Sequence, residues 1–372
     1  MSTFDLYELP AEMSTWDVEA RGHARFTWEY DDHRDSMLRL YQKGKDRQWD
    51  AVTRIDWSLE VDPEDPLQLP ERALPFYGSK LWERLSLERR RELKGHYATW
   101  QFSQFLHGEQ GAMICSARTI ESVPDMDAKF FAATQAMDEA RHAEIYAKFL
   151  QEKVGFLYPI NPHIKSLLDN TLSDGRWDMP YLGMQVLIEG LALAMFGILR
   201  DNTRAELPKQ LLAYIMQDEA RHVAFGRLAL RDYYAGLTRA ELAEREEFVI
   251  EGCYALANRL RGREVFEHLG YSTDEGIAAV DNSQYVSDFH GLLFSRILPC
   301  LKDIGLWSTK LQEAYRNLGV LDRADADLDR MSQHDSDLAD SLDRKRRDAF
   351  IKAEELDRLD DVNDAIALAE QD

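Results

Sequence analysis

The sequence predicts an all-α protein built round a four-helix bundle, with additional helices at both ends. Three observations predict this class. From about residue 86 onward, apolar residues recur at steps of three and four, which is the period of an amphipathic helix. No stretch of that region alternates polar and apolar residues as a strand does. The motif DEARH occurs at 138–142 and again at 218–222, which indicates a duplicated helical unit.

Composition agrees with this class and bounds the domain organisation. The chain has 372 residues, of which 45% are hydrophobic and 30% are charged, and it is sparse in glycine (20) and proline (11). It is long enough to bury a sizeable core, and its balance is typical of a globular protein. We divide it into a lead-in segment with a proline-rich loop at 1–75, a helical domain at 76–320 and an acidic, partly helical tail at 321–372.

Charge and cysteine content exclude several classes of partner. A net charge of −22 makes nucleic acid and anionic membranes poor partners. Three scattered cysteines without a CxxC pair fit a reducing cytoplasm. The N-terminus lacks the pattern of a signal peptide, and the most apolar run, 186–199, is too short for a membrane span and contains Glu189. We therefore expect a cytoplasmic protein that binds no membrane and no nucleic acid.

The helices can be placed in order along the chain. A helical stretch over about 17–48 precedes the loop VDPEDPLQLPERALP at 61–75. The helices of the core are predicted at about 86–120, 126–153 and 179–200, and then from 203 and from 238. The stretch ESVPDMD at 121–127 separates the first two, and the segment 161–180 is a connection with a short helix. Two more helices are predicted near 281–299 and 305–318. From 321 the tail is interpreted as a solvated, partly helical appendage or as a contact for docking or oligomer formation.

Two copies of TRAEL mark the starts of the fourth and fifth core helices. They lie at 203–207 and 238–242. In each copy a threonine stands three residues before a glutamate (Thr203/Glu206 and Thr238/Glu241), which is the pattern of a capping box.

The spacing of acidic residues around DEARH indicates what the repeated unit forms. Glu109 lies 30 residues before Glu139, and Glu189 lies 30 residues before Glu219. In each motif the glutamate and the histidine three residues later share one helix face. At about 1.5 Å per residue, an antiparallel return brings each pair of glutamates to the same height. Two such hairpins direct four glutamates, with His142 and His222, to one level of the bundle.

Four buried carboxylates without a counter-charge would be very costly, and some would take up protons. Two divalent cations remove that cost. Mixed carboxylate and imidazole donors suit iron or manganese, although donor type alone leaves zinc open. Di-metal sites in helical bundles use the same set of donors: one glutamate from each of two helices, and a Glu-x-x-His motif from each of the other two.

The flanking residues of the motif suggest supporting roles. Asp138 and Asp218 can accept the second N–H of a ligating histidine and so fix its tautomer. Arg141 and Arg221 can add charge-assisted hydrogen bonds to these aspartates.

The motif pair resembles the ferritin-like carboxylate-bridged di-iron oxygenases. DExRH in both halves is most similar to the hydroxylase subunits of bacterial multicomponent monooxygenases and to the acyl-carrier-protein desaturases. The stretch AVTRIDW at 51–57, the proline-rich loop and the helix after it are similar to the aminobenzoate N-oxygenase family. The resemblance covers about residues 50–240. It implies a di-iron centre that reacts with O2, with the ligands Glu109, Glu139, His142, Glu189, Glu219 and His222.

The chain departs from these families at several positions. Many relatives carry a threonine one turn after the third glutamate, where this chain has Ala192 and Leu193. The N-oxygenase family has an extra histidine where this chain has Ile215. Tyr146 lies where the ribonucleotide reductase small subunit places its radical tyrosine, and it is either a redox relay or a packed tyrosine. Leu193 and Gln185 are interpreted as pocket or core residues.

The function that this resemblance implies is O2-dependent oxidation of a small organic substrate at two iron ions, or at iron with manganese, with O2 as co-substrate. Hydroxylation, desaturation and N-oxygenation remain open. The alternatives are a radical-generating subunit like that of ribonucleotide reductase and a ferritin-like iron-storage protein. A homodimer is compatible with the sequence.

An oxygenase of this kind takes electrons from a protein such as a ferredoxin or a reductase. The basic cluster at 80–94, with Arg89, Arg90 and Arg91, is either a landing patch for such an acidic carrier or a solvated helix face.

Overall fold

The computed structural model describes residues 15–19, 21–30 and 34–369 of the chain, and side chains as far as residue 348 except at 259, 284, 285, 287, 288 and 290. The signal-peptide prediction concerns residues that lie mostly outside this range. Throughout the described residues the chain is helical or irregular and contains no strand, which confirms the all-α class. The helices, numbered in chain order, are α1 Asp35–Asp46, α2 Ala51–Arg54, α3 Lys80–Glu83, α4 Leu87–Ser122, α5 Met126–Phe149, α6 Pro162–Ser173, α7 Asp178–Asn202, α8 Glu206–Tyr234, α9 Arg239–Asn258, α10 Arg263–His268, α11 Thr273–Asp281, α12 Gln284–Leu293, α13 Ile297–Asp303, α14 Thr309–Asn317 and α15 Leu328–Ala369.

The predicted ferritin-like bundle consists of α4, α5, α7 and α8. Helix α4 packs along α5, and α7 packs along α8, so the chain forms two helical hairpins. The hairpins meet through contacts of α5 with α8 and of α4 with α7. Helices α1 and α15 lie against this bundle, which agrees with the expected extra helices at both ends.

Local sequence signals explain most helix ends. The Ser86 side chain accepts a hydrogen bond from the Arg89 backbone and starts α4. Helix α4 ends before Pro124, which cannot donate a backbone hydrogen bond. The predicted capping box at α9 is present, since Thr238 and Glu241 bond to each other's backbone N–H groups.

The other predicted capping box, at the start of α8, is wrong. The Thr203 hydroxyl donates instead to the Leu67 carbonyl at 2.5 Å. Helix α8 starts at Glu206 after Ala205, with no side-chain cap. Thr203 therefore anchors the proline-rich loop to the bundle rather than capping the helix.

Helix α7 widens into a π-helix over Tyr181–Ile188, directly before Glu189. A close approach by α6 accompanies the wide turn: a Cβ atom added to Gly183 would lie 2.4 Å from the Thr171 hydroxyl. Only glycine fits there. A helix was predicted here, but its widening was not. Such segments are rare and occur often at functional sites.

The same helix answers the question of a membrane span. Among the described residues, α7 is the one helix long and apolar enough to cross a membrane, and 83% of its most apolar window is buried inside the protein. It is therefore a core helix of the bundle.

Three predicted elements have different bounds in the structure. The lead-in helix begins only at Asp35, because residues 21–30 are irregular. The helix predicted at 281–299 is divided into α12 and α13 by a break after Leu293. The tail from 321 is mostly exposed or half-buried up to residue 348, but its first half packs against the bundle.

The first half of α15 packs against α8 and is held by a buried charge cluster. The Asp335 carboxylate is 1% exposed and accepts hydrogen bonds from Arg200 at 3.0 Å and from Arg296 at 2.5 Å. Both arginines are themselves buried. Removing one partner of such a buried cluster is strongly destabilising, so α15 is fastened to the bundle.

Candidate metal centre

The structure brings the six predicted ligands together at one level of the bundle. Their donor atoms form two groups of four, within which all donor atoms lie within 4.8 Å of one another. One group contains Glu109 and His142, and the other contains Glu189 and His222. Glu139 and Glu219 belong to both groups. This is the arrangement expected of two metal positions that share two bridging carboxylates.

The donors are buried and lack partners of their own. The six side chains are between 0% and 6% exposed. The atoms without a hydrogen-bond partner are Glu139 Oε2, Glu189 Oε2, both oxygens of Glu219, and the Nδ1 atoms of His142 and His222. Nδ1 of His142 lies 3.0 Å from a Glu219 oxygen, but without the geometry of a hydrogen bond. Unpaired buried polar atoms that face one small space are costly, and cations would satisfy them. The residues therefore fit a pair of metal ions.

The electrostatics of the site show the same need for positive charge. Burial raises the pKa of Glu109 to about 8, although the neighbouring His142 opposes the shift. Burial, reinforced by the Glu219 charge, raises the pKa of Glu189 well above its usual range. Burial opposes the charged form of both histidines, but the surrounding carboxylates raise the pKa values of His142 and His222 well above 6.5. The metal-free site therefore holds protons at neutral pH.

These shifts predict how the stability of the metal-free protein depends on pH. Between the ordinary value of 4.5 and about 8, folded Glu109 binds a proton that the unfolded chain has lost. The raised pKa values of His142 and His222 have the same effect above pH 6.5, because the folded state keeps protons that the unfolded chain loses. Because the folded state binds more protons, the free energy of unfolding should fall as pH rises through this window. We expect a lower urea midpoint at pH 8.5 than at pH 6.

Metal loading should reverse this trend, since metal ions displace the same protons and bind more tightly as pH rises. Urea titrations of metal-free and loaded protein at both pH values would measure it. A metal-free midpoint that rises between pH 6 and pH 8.5 would contradict the assignment of protons to these donors.

The aspartates of the two motifs support the histidines crosswise. Asp218 lies 3.2 Å from Nε2 of His142, and Asp138 lies 3.2 Å from Nε2 of His222. Because a carboxylate only accepts hydrogen bonds, each Nε2 carries a proton and each Nδ1 faces the carboxylates. The predicted role of the aspartates fits this geometry, but the aspartate of each motif lies next to the histidine of the other motif.

Two arginines join the aspartates into a buried cluster. Arg141 donates to Asp138 at 2.5 Å and to Asp218 at 2.8 Å. Arg221 donates to Asp218 at 2.6 Å and to Asp138 at 3.2 Å. Burial opposes ionisation of Asp218, but Arg221 and His142 more than offset it and hold its pKa well below the usual range. The cluster of two positive and two negative side chains is internally neutral.

Two residues from the lead-in segment complete this cluster and were missed by the sequence analysis. Gln48 donates to Asp138 at 2.7 Å and accepts from Arg141 at 2.8 Å. Trp49 donates from its indole nitrogen to Asp218 at 2.8 Å. Both come from far away in the sequence, so no local signal could have found them.

Gln135 was also missed, although a local signal exists. Its amide donates to Glu139 at 3.0 Å and to Glu189 at 2.9 Å. It lies four residues before Glu139, on the same face of α5, which is where a residue that orients this carboxylate would be sought.

A narrow cleft of about 20 Å³, with room for about one water molecule, reaches the site between α4 and α7. Glu109, Glu189 and Glu219 line its inner end. The rest of the wall is formed mainly by small and apolar residues: Phe105, Gly108, Ala112, Met184, Ile188, Ala192 and Phe196. Gln104 is the one other polar side chain there, and its amide is bonded to the backbone of the 159–161 segment.

The predicted redox or pocket residues lie outside this wall. Leu193 is 1% exposed and packs in the core, while its neighbour Ala192 lines the cleft. Gln185 lies in the π-helix, 3.4 Å from Gln135. The Tyr146 hydroxyl is fully buried without a hydrogen-bond partner, and its ring packs against Phe102 and Phe105.

The basic cluster at 80–94 is largely occupied by contacts within the protein. Arg89 bonds to Glu92, Arg90 bonds to the backbone of α3, and Arg91 pairs with Asp62. Their charges are therefore partly compensated, which favours the solvated-face interpretation of this cluster.

Comparisons with known proteins agree with the fold. The family model described as P-aminobenzoate N-oxygenase AurF matches residues 31–305. No curated protein matches the chain. The dimanganese(II)-NrdF structure from Streptococcus sanguinis is 12% identical, with a TM-score of 0.51, over 76% of this chain and 92% of that one. A point mutant of an R2-like ligand-binding oxidase with a Mn/Fe cofactor is 16% identical, with a TM-score of 0.49, over 76% and 96%.

Proposed function

The chain belongs to the P-aminobenzoate N-oxygenase AurF family, and from this premise we propose that it is an O2-dependent di-iron oxygenase that oxidises a small organic amine. One observation carries the proposal: two groups of four buried donors share Glu139 and Glu219, and most of their donor atoms have no other partner. The coarser assignment, an oxidoreductase of the di-metal type, follows from the family.

In this proposal Glu109 and His142 hold one metal ion, and Glu189 and His222 hold the other. Glu139 and Glu219, which belong to both groups of donors, would contribute to both positions. Two iron ions, or iron with manganese, would supply the redox chemistry with O2 when bound there, with electrons that an external donor provides.

The protein's own residues orient the donors and exclude water. The crossed aspartates keep protons on Nε2 of both histidines and leave Nδ1 free to coordinate. Gln135 holds one oxygen each of Glu139 and Glu189. The apolar cleft leads toward the donors and would admit the substrate as its side chains move apart, and it keeps the site dry, which strengthens every charge interaction inside it.

The reaction balances with an external reductant. An amine, O2, two electrons and two protons give a hydroxylamine and water. One oxygen atom forms the new N–O bond, and the other leaves as water. The electrons come from a donor protein, which is oxidised.

The cleft indicates the chemical class of the substrate. No lysine or arginine lines it, and its inner end carries three carboxylates. An anionic group at the outer end of a substrate would find no cationic partner there. We therefore propose an uncharged, mostly apolar amine, in contrast to the p-aminobenzoate in the family's name.

Product analysis with isotopic oxygen tests this proposal. Protein loaded with Fe(II) and reduced with dithionite should convert aniline under 18O2 into a product with one 18O atom, and should act more weakly on p-aminobenzoate. The amine specificity would be wrong if p-aminobenzoate were the better substrate. If none of a broad panel of amines were oxidised but hydrocarbons were, the proposed reaction would be hydroxylation and not N-oxygenation.

Filling the cleft should remove activity without removing metal. A Cβ atom added to Gly108 meets nothing within 4 Å, so Gly108→Phe can place its ring in the cleft. We expect kcat/KM to fall by about 100-fold, the size of effect that displacing a substrate by about 1 Å produces. Ile114→Phe, at a position on the same helix that is 44% exposed, is the control and should leave kcat/KM unchanged. Equal activities of both variants would show that the substrate enters elsewhere.

Tyr146 supports a second candidate, a radical-generating subunit that serves a partner enzyme. Its hydroxyl is buried without a partner, and burial raises its pKa well above 10, so the phenol stays protonated unless it is oxidised. Under the oxygenase proposal, Tyr146→Phe retains most of the activity, measured as product per chain. Loss of activity, together with loss of a tyrosyl signal in electron spin resonance, would favour the radical function.

A further inference from the structure

A basic depression lies on the surface where α15 crosses the lead-in segment. Five arginines line it: Arg47, Arg54, Arg344, Arg346 and Arg347. Two aspartates are the other lining residues. In a chain with a net charge of −22, such a concentration of positive charge needs an explanation.

Part of this charge is used within the protein and part is not. Arg47 pairs with Asp340 at 2.9 Å, and Arg54 pairs with Asp343 at 2.8 Å. Arg344 and Arg347 are exposed, and neither forms an ion pair with any side chain that the structure describes. The depression therefore has a surplus of positive charge directed to solvent, unlike the compensated cluster at Arg89–Arg91.

A short series of side chains joins this depression to the metal centre. The Arg54 guanidinium lies 4.9 Å from the centre of the Trp49 ring. The Trp49 indole donates to Asp218 Oδ2 at 2.8 Å, and the same oxygen lies 3.2 Å from Nε2 of His142. Trp49 is only partly buried, so an aromatic ring beside Arg54, a lining residue of the depression, is hydrogen-bonded to a side chain that supports a metal-facing histidine.

We propose that the arginine depression is the docking site of an acidic, one-electron carrier protein. The inference rests on the proposed function, which requires an external donor. Each reduced carrier is oxidised by one electron, so two dockings supply the two electrons that the reaction consumes. Trp49 and Asp218 are the positioning residues of the entry route, because they form its hydrogen-bonded connection to His142.

Charge complementarity indicates which kind of partner binds in the arginine depression. An acidic protein is attracted to the depression by long-range forces that also speed association, and these forces weaken with salt. Nucleic acid is the other common ligand of arginine clusters, but the rest of this acidic chain repels it. The contact between Arg54 and Trp49 favours a carrier, because only a redox partner gains from docking next to a side chain that is bonded to the support of the metal centre.

Binding measurements with a plant-type [2Fe–2S] ferredoxin test the proposal. The variant Arg344→Glu/Arg347→Glu should weaken ferredoxin binding at low ionic strength by about 10-fold or more, and the difference should shrink in 0.5 M salt. The control variant, Arg239→Glu/Arg316→Glu, makes the same charge change at two exposed arginines outside the depression and should bind like the unaltered protein. Metal-free and metal-loaded protein should give the same ranking.

A second measurement separates docking from electron entry. Trp49→Phe removes the hydrogen bond to Asp218 but no charge. It should leave the dissociation constant unchanged and slow reduction of the loaded protein by ferredoxin. Dithionite, which needs no docking site, should reduce Arg344→Glu/Arg347→Glu at the same rate as the unaltered protein, and its rate with Trp49→Phe measures any change at the metal centre itself.

Three results would overturn the proposal: no ferredoxin binding to the unaltered protein, equal weakening in both double variants, or tighter binding of a DNA duplex that competes with ferredoxin. These failures are distinguishable from failure of the proposed function, because metal content and dithionite-driven oxidation of amines are measured without ferredoxin.

Discussion

Replacing Glu139 and Glu219 together by alanine is expected to abolish metal binding. Each of these carboxylates belongs to both groups of donors, so the double variant leaves only a glutamate and a histidine at each position. Two donors fall short of the four that such sites usually supply. Elemental analysis after anaerobic loading with Fe(II) and desalting should give about two irons per chain for the unaltered protein and close to none for the variant. Oxygenase activity should disappear with the metal.

The control for this experiment is Glu251→Ala. Glu251 is an exposed carboxylate on α9, outside both donor groups, so its loss should leave the metal content unchanged. Far more than two irons per chain in the unaltered protein would favour storage. A single zinc that survives the double substitution would mean that the repeated motif is architectural.

Removing Asp218 should cause the second large effect, on the metal site of the other repeat. Asp218→Ala deletes the partner of His142, the acceptor of Trp49 and one of the two carboxylates that neutralise Arg141 and Arg221. Loss of such a supporting residue lowers metal affinity by about 10- to 100-fold. Leaving a buried charge uncompensated costs about 3–5 kcal/mol of stability. Metal titrations and urea unfolding would measure both effects.

The crossed geometry makes this prediction specific. Asp218 lies in the same motif as His222 but supports His142. The Mössbauer spectrum of 57Fe-loaded Asp218→Ala should therefore change like that of His142→Ala, and Asp138→Ala should change like His222→Ala. The reverse pairing would show that each motif supports its own histidine. If the aspartate variants were less stable but their Mössbauer spectra were unchanged, the aspartates would contribute to folding and not to the metal site.

The bundle and the convergence of six donors could be predicted because both follow from local periodicity. Glu139 and His142 share a helix face at any position in a helix, and the repeated interval of 30 residues sets the height at which the glutamates meet. No knowledge of tertiary packing was needed for these steps.

The rest depends on which surfaces meet. Trp49 and its partner Asp218 are 169 residues apart in the sequence. The crossed pairing requires knowing how the two hairpins face each other. Thr203 carries a capping pattern, but the nearby Leu67 carbonyl offers a better acceptor. The π-helix before Glu189 accompanies the close approach of α6 at Gly183. None of these contacts leaves a periodic signal in the chain.

The position of α15 has a consequence for the synthesis of the protein. The aspartates that support the metal centre are bonded to Gln48 and Trp49, in the lead-in segment that the ribosome makes first. The same segment forms ion pairs with α15, which is made after the bundle: Arg47 with Asp340 and Arg54 with Asp343.

A nascent chain that has reached the second DEARH already carries all six donors, but the helix that clamps the lead-in segment over them does not yet exist. Iron that arrives during translation therefore meets a site open to water and to exchange. We expect stable metal incorporation to follow the synthesis of α15, so that this helix acts as a seal on a centre assembled earlier.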